Sequence, residues 1–162
     1  MHIRKATTMD MPAIQAIYAR ARMYMRQTGN PNQWKDNAPA QSLIDRYIAQ
    51  GVLMVAEDQG LLQAVFALIP GPDPTYSYIE GKWLNDAPYA AIHSVASAGL
   101  MPGMLGVCLA YADTRYDNLR IDTHHDNLVM QHLLDKHGFT RCGIIYLENG
   151  DPRIAYHKIK TC

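Results

Sequence analysis

The chain has 162 residues, 15 lysines and arginines balanced by 15 aspartates and glutamates, and 48% hydrophobic residues. This length suits a single domain over 1–162 with a real core. A net charge of zero excludes the basic field that holds nucleic acid. No run of about 18 apolar residues exists to cross a membrane, and the N-terminus carries no apolar leader. Three cysteines, Cys108, Cys142 and Cys162, make no disulfide framework. The first two read as packing residues, and the expected location is the cytoplasm.

Residues 3–5 read as a short strand. Thr7, Thr8 and Asp10 offer capping oxygens, and Pro12 falls in a first helical turn, where its missing N–H costs little. Met11, Ile14, Ile17, Tyr18, Ala21 and Met25 recur at three and four, giving this helix one buried stripe. Arg20, Arg22 and Arg26 fall off the stripe, as on a solvated face. Residues 28–34, TGNPNQW, break the helix, and Trp34 either closes a core edge or walls a ligand site. Residues 42–49 form a second helix stopped by Gly51. Two apolar runs, 52–57 and 61–69, make a hairpin across Asp58, Gln59 and Gly60. The turn-rich segment 71–88 carries Tyr76, Tyr78, Glu80 and Trp83, with at most a short strand at 76–79. Loops this long in compact domains tend to be functional.

Residues 89–127 are the most informative: YAAIHSVAS, AGLMPG, MLGVCLAYADTRYDN, then LRIDTHHDN. They read as strand, Gly/Pro turn, helix and strand, a βαβ unit with parallel strands and a right-handed crossover. The turn leaves free N–H groups at a helix N-terminus, which attract anions, phosphate above all. Asn127 then caps a helix running through 136, with Met130, Leu133 and Leu134 inward, Gly138 as its stop and Phe139 as a core plug. Residues 142–147 and 153–159 form a hairpin across an Asn-Gly turn. Its apolar character suggests a homodimer contact. The order β-α-α-β-β-β-α-β-α-β-β is that of a mixed α/β sheet.

This order, with RIDTHHDNLVMQHLLDKHGFTRCGIIYL at 120–147 and RIAY at 153–156, resembles the GNAT superfamily of acetyl-CoA-dependent N-acetyltransferases. Within it, the chain looks like a bacterial subgroup with an IH-containing strand, a DTH-x-DN strand end and a CGIIY hairpin. The resemblance covers nearly the whole chain. It implies that the parallel strands at 91–97 and 119–123 splay at their C-terminal ends and admit the pantetheine arm, which pairs with the first strand. A bulge there would turn an N–H near Val95 or Ala96 toward the thioester carbonyl, as in an oxyanion hole. The pyrophosphate would rest on Leu100, Met101, Gly103, Met104, Leu105 and Gly106, and Asn127 would touch the cofactor as in relatives. The implied reaction is direct acetyl transfer from acetyl-CoA to a primary amine of a small molecule or peptide, with no metal. An acyl-CoA-binding protein without catalysis is the rival reading.

Two departures from the family pattern stand out. The usual phosphate loop, [RQ]-x-x-G-x-[GA], keeps only its central glycine in Leu100-Met101-Pro102-Gly103-Met104-Leu105. A register from Gly99 uses Gly106 instead, and Pro102 removes one donor. Weaker or altered cofactor binding is the expectation. Leu134 also stands where many relatives place the tyrosine that protonates the leaving thiolate.

By the period of two, Arg120, Asp122 and His124 share one face of the second strand. His124 could take the acceptor's proton, since imidazole titrates near neutrality, or it could pair with Asp122 to fix the strand end. His93 could serve as base or be a satisfied core histidine. Glu80, placed beside the central strand, resembles the glutamate that holds a water in relatives; otherwise it is a solvated carboxylate. Trp34, Tyr76, Tyr78 and Trp83 together would line a pocket for a small, partly apolar acceptor. His93, Asp122, His124, His125 and Asp126 are metal-ligand types. Yet the adjacent histidines would point apart on a strand, so no metal is expected.

Overall fold

The computed structural model describes residues 1–35 and 38–160, so Cys162 lies outside the described residues. β1 (His2–Lys5) leads through a short 3-10 turn into α1 (Met11–Gln27), followed by α2 (Gln41–Ala49) and the hairpin of β2 (Leu53–Asp58) and β3 (Leu61–Pro70). After a two-residue β4 (Glu80–Gly81) come β5 (Ala90–Ser97), α3 (Met104–Arg115), β6 (Asn118–Thr123), α4 (Leu128–Lys136), β7 (Thr140–Tyr146) and β8 (Pro152–Ile159). All strands join one sheet in the order β1-β2-β3-β5-β6-β8-β7-β4. Only β5 and β6 run parallel; every other neighbouring pair is antiparallel.

Alternation along the strands sends side chains to two faces. Ile92, Leu119, Ile121 and Tyr156 face α3 and α4, packing on Cys108, Leu109 and Leu134. Val55, Val65, Ala67 and Ala96 face α1 and α2, packing on Ile14, Ile17, Tyr18 and Ile44. Beside that second cluster, Tyr76 packs on Ala91, Ile145 and Ala155. Caps fall where the residue types require. The Thr7 N–H donates to the Asp10 carboxylate at 2.8 Å, and Asn127 Oδ1 accepts from the Met130 N–H at 3.0 Å. A cap like that of Asn127 contributes about 1 kcal/mol.

Two expectations are corrected. Residues 76–79 make no strand. Asp73 accepts from the Thr75 N–H and, with Pro74 next, sets a 3-10 turn at Pro74–Tyr76; the strand begins at Glu80 and pairs with β7. The β7–β8 hairpin is also less exposed than its apolar sequence suggests. Ile145 and Ile154 are buried and β4 covers the middle of the outer edge of β7, while Tyr146 and Ile159 stay open to solvent.

The pairing of β5 shapes the candidate site. β5 meets β6 only over Ala90↔Leu119, Ala91↔Arg120 and Ile92↔Ile121, yet follows β3 out to Ser97. Between Ala67↔His93 and Val65↔Ala96 the register slips, so Ser94 and Val95 together oppose Phe66. This is a bulge, with Ser94 at φ 56 and its carbonyl accepting from the Tyr18 hydroxyl at 2.8 Å. Past Ile92 the edge of β5 toward β6 has no strand partner.

Buried His157 makes the sheet acid-labile. Its Nδ1 accepts from the Leu84 N–H and its Nε2 bonds Asn118 Oδ1, a pattern that fits the neutral ring. Burial first, and then the Arg120 charge, push its pKa down to about 4. The unfolded chain, titrating near 6.5, binds a proton that the fold refuses, so stability falls as pH drops from about 6.5 to about 4. The loss expected from this group is on the order of 3 kcal/mol. Urea melts at pH 7 and pH 4.5 should register it, and His157→Gln should flatten that part of the acid limb. An unchanged slope in the variant would show that other groups set the acid limb.

No helix among the described residues is long and apolar enough to cross a membrane.

Candidate active site

Where β5 leaves β6, a cleft of about 600 Å³ opens between the end of β5, the 99–106 turn, α1 and α4. Val95 and Ala96 reach it from β5. Leu100, Met101, Gly103, Met104, Leu105 and Gly106 reach it from the turn, and Asn127 from the cap of α4. The sequence-expected cofactor residues therefore converge on one space. Gly99 and Gly103 hold φ of 75 and 76, turning the chain into α3 with its first N–H groups free.

Two cations and a histidine line the same cleft without having been marked in the sequence: Arg20 from α1, and Lys136 and His132 from α4. Arg20, expected on a solvated face, sits at the edge of the stripe that packs α1 on β5. Its Nη1 donates to the Ser97 carbonyl at 3.5 Å. Its guanidinium also occupies the space above Gly99, where an added Cβ would fall 1.9 Å from Arg20 Cζ. The only hint in the sequence is spacing: Arg20 lies within one helical turn of both Ile17 and Tyr24. Leu134 is fully buried in the core, so α4 supplies no hydroxyl at that point; the one tyrosine among the described lining residues is Tyr24.

On the opposite face of the sheet, a polar group spans the last paired rungs of β5 and β6. His93 Nε2 lies 2.6 Å from Asp73 Oδ2, and the other Asp73 oxygen accepts from the Thr75 N–H and hydroxyl. The Tyr76 hydroxyl donates to Asp122 Oδ2 at 2.7 Å. Burial opposes a charge on His93, but the Asp73 hydrogen bond and the charges of Asp122 and Asp73 outweigh it and raise its pKa above the ordinary value. Asp73 is held below the usual carboxylate range. Burial pushes it up, and the hydrogen bond and charge of His93, together with the Thr75 bonds, more than reverse that. His93 Nδ1 has no hydrogen-bond partner among the described residues, so the ring is held by one nitrogen and open at the other.

Several site expectations need correction. Glu80 is not beside the central strand: β7, β8 and β6 stand between β4 and β5. The 71–88 loop crosses the sheet to pair at its far edge, where Tyr78, 63% exposed, stacks on Tyr146. Trp34 closes a core edge by packing edge-on against Tyr18, with ring centroids 5.5 Å apart. Tyr76 and Trp83 do meet, 5.2 Å apart, but with Tyr89 they flank Arg120, whose guanidinium lies 4.1 Å from the Trp83 ring centre and 4.0 Å from that of Tyr89. The four aromatics thus lie in three places and form no common pocket.

His124 does not pair with Asp122. It follows the last residue of β6, and its Nδ1 accepts from the Asp126 N–H at 3.0 Å. Burial, then Arg153 and His125, lower its pKa. Because the strand has ended, His124 and His125 do not point apart: their rings stack at 4.2 Å. With Asp126 they place ligand-type atoms within 4.8 Å of one another, all from one turn.

A further residue unmarked in the sequence is Gln33. Its Oε1 accepts from Asn30 and Asn127 Nδ2, each at 2.9 Å, and from the Thr123 hydroxyl at 3.4 Å. It ties the loop after α1 across the end of β6, walling the divergence of β5 and β6.

No family model and no curated protein matches the chain. Solved structures do. An acetyltransferase of the GNAT family from Streptococcus agalactiae is 32% identical with a TM-score of 0.87, over 99% of this chain and 96% of that one. One from Listeria monocytogenes is 18% identical with a TM-score of 0.72, over 98% and 94%. The N-acetylglutamate synthase from Neisseria gonorrhoeae, solved with coenzyme A and N-acetyl-glutamate, is 15% identical with a TM-score of 0.63. That match covers 99% of this chain and 35% of the synthase. The last two similarities speak for the fold alone.

Proposed function

Since this chain belongs to the GNAT family of acetyltransferases, we propose that the cleft at the end of β5 receives acetyl-CoA and that the polar group behind it receives an amine. The observation that carries this reading is the divergence itself. β5–β6 pairing stops at Ile92↔Ile121, and a cleft of about 600 Å³ begins just beyond.

The free strand edge of β5 offers peptide groups to the pantetheine arm as a neighbouring strand would. The Ala98 N–H bonds the Gln63 carbonyl of β3 at 2.8 Å. By the alternation of antiparallel ladders the Ala96 N–H also points to β3, which leaves the Val95 N–H for the gap. Val95 is therefore the donor assigned to the thioester oxygen. The free N–H groups of residues 103–106 and the charges of Arg20 and Lys136 would hold the pyrophosphate. His93, its ring fixed by Asp73, would take the proton from the attacking ammonium through Nδ1. Coenzyme A leaves as a thiolate, with Tyr24, the tyrosine among the described lining residues, as the candidate acid. Family membership favours turnover over an acyl-CoA carrier without catalysis. The reading includes a cytoplasmic, single-domain enzyme acting on a small molecule or peptide without metal, nucleic acid or membrane.

Calorimetry with coenzyme A, and thiol release from acetyl-CoA over an amine panel, test this directly. No heat at millimolar coenzyme A would end it. Arg20 gives a sharper expectation, because it replaces the polar side chain missing from the loop. Arg20→Gln should weaken coenzyme A binding by roughly tenfold, the worth of one charge-assisted contact. Pantetheine, which lacks the phosphates, should bind variant and parent alike. Equal loss for both ligands would place Arg20 in folding of the turn instead.

A further inference from the structure

Arg153 is a buried cation with no anion among the described residues. It is 6% exposed, yet its donors reach only two neutral oxygens: Nη1 to the Pro152 carbonyl at 2.8 Å and Nη2 to the Gln33 carbonyl at 3.4 Å. Among the described residues no carboxylate comes within 4.0 Å of it. Its Nε–H has no acceptor among the described residues. Two other arginines are met differently: Arg4 grips Asp10 and Glu57, whereas Arg120, also buried and without an anion among the described residues, lies between two aromatic rings. A guanidinium taken out of water costs several kcal/mol unless paired, so a burial like that of Arg153 calls for a counter-ion from outside the chain.

The sheet says where that anion would lie. Asp122 pairs with Ala155 and Thr123 with Ile154, which puts Arg153 on the face of Asp122, one step beyond the end of β6. Diagonal neighbours of this kind stand about 7–8 Å apart. Asp122 uses one oxygen for the Tyr76 hydroxyl, and nothing among the described residues donates to the other. On this face His93 lies one strand over, next to the bulge. An ammonium held at Asp122 would thus sit within reach of the His93 Nδ1, with a cation close by on its far side.

We propose that Arg153 binds a carboxylate carried by the acceptor, so that the acceptor belongs to the amino-acid class, an amine with a carboxylate a few bonds away. This rests on the acetyl-transfer reading above and narrows it. The chemistry is complementary at both ends: carboxylate Asp122 for the ammonium, guanidinium Arg153 for the carboxylate, with the fork geometry that favours two parallel bonds.

The test compares amino acids with those decarboxylated amines that keep no carboxylate, such as alanine with ethylamine and leucine with isoamylamine, by thiol release from acetyl-CoA. At least one amino acid should exceed its amine in kcat/KM by roughly tenfold or more. Arg153→Gln should bring that ratio near one, chiefly through KM for the acid, while coenzyme A binding by calorimetry stays as in the parent. Arg153→Lys should restore part of the ratio, and circular dichroism checks that both variants fold. Amines equal to their acids would overturn the proposal. So would an equal loss for acid and amine in Arg153→Gln, which would mark a prop for the Gln33 loop. Coenzyme A binding without thiol release from any amino acid would overturn it too, leaving acetyl transfer to another amine intact. Absent coenzyme A binding would strike the acetyl-transfer reading itself.

Discussion

Replacing His93 by glutamine is expected to lower kcat/KM by about 10²–10³, the usual worth of a positioned general base, while leaving coenzyme A affinity unchanged. The reason is the arrangement of its two nitrogens. Nε2 is fixed by Asp73 at 2.6 Å, so the lone pair available to a substrate is the one on Nδ1. The pH profile separates His93 from its rival. His93 titrates above its ordinary value, because the Asp73 bond and the charges of Asp122 and Asp73 overcome burial. His124 titrates below its ordinary value, because burial and the charges of Arg153 and His125 lower it. A base works only when deprotonated, so kcat/KM should rise with pH through a midpoint above about 6.5 if His93 is the base, and below it if His124 is. Asp73→Asn removes the carboxylate that stabilises the charged ring and should move the midpoint down. A midpoint that ignores both His93→Gln and Asp73→Asn would exclude His93.

Exchanging Val95 for its α-hydroxy acid, so that an ester oxygen stands where the N–H was, is expected to reduce kcat by about 10²–10³, as loss of one oxyanion donor does. KM for acetyl-CoA should change little, because the donor matters most once charge develops on the oxygen. The strand should survive, since alternation turns this N–H into the gap, where β6 has already departed. The same exchange at Ala96 should instead lower thermal stability, because that N–H belongs to the ladder with β3. If the Val95 ester turns over at the parental rate while the Ala96 ester does not, the donor assignment is reversed.

These effects depend on features that the sequence displayed unequally. The βαβ unit was legible because apolar runs of strand and helix length flank a Gly/Pro turn, and local chemistry dictates such elements. The same holds for Asn127, whose side chain caps the helix that begins one residue later. The residues expected at a cofactor gather at one cleft, because a turn between a strand and a helix presents its amides wherever it occurs. Glu80 was misplaced for the opposite reason. Nothing local states which sheet edge a loop will join, and residues 71–88 travel across a whole face to pair with β7.

Arg20, Asp73, Gln33 and Arg153 belong to the same class of information. Each is an ordinary polar residue in its own neighbourhood and gains meaning from partners far along the chain: Arg20 from Ser97, Asp73 from His93, Gln33 from Asn127. His124 shows how fine the boundary is. Its alternation with Asp122 was read correctly up to Thr123, where the strand ends and the period of two no longer holds. By itself, then, the sequence determined the elements, their caps and the turn with free N–H groups before α3, because these arise from backbone sterics and spacing within a few residues. Only the tertiary structure decided which charges look into the cleft and that Arg153 is buried with no anion among the described residues, because burial and pairing are set by strands brought together from opposite ends of the chain.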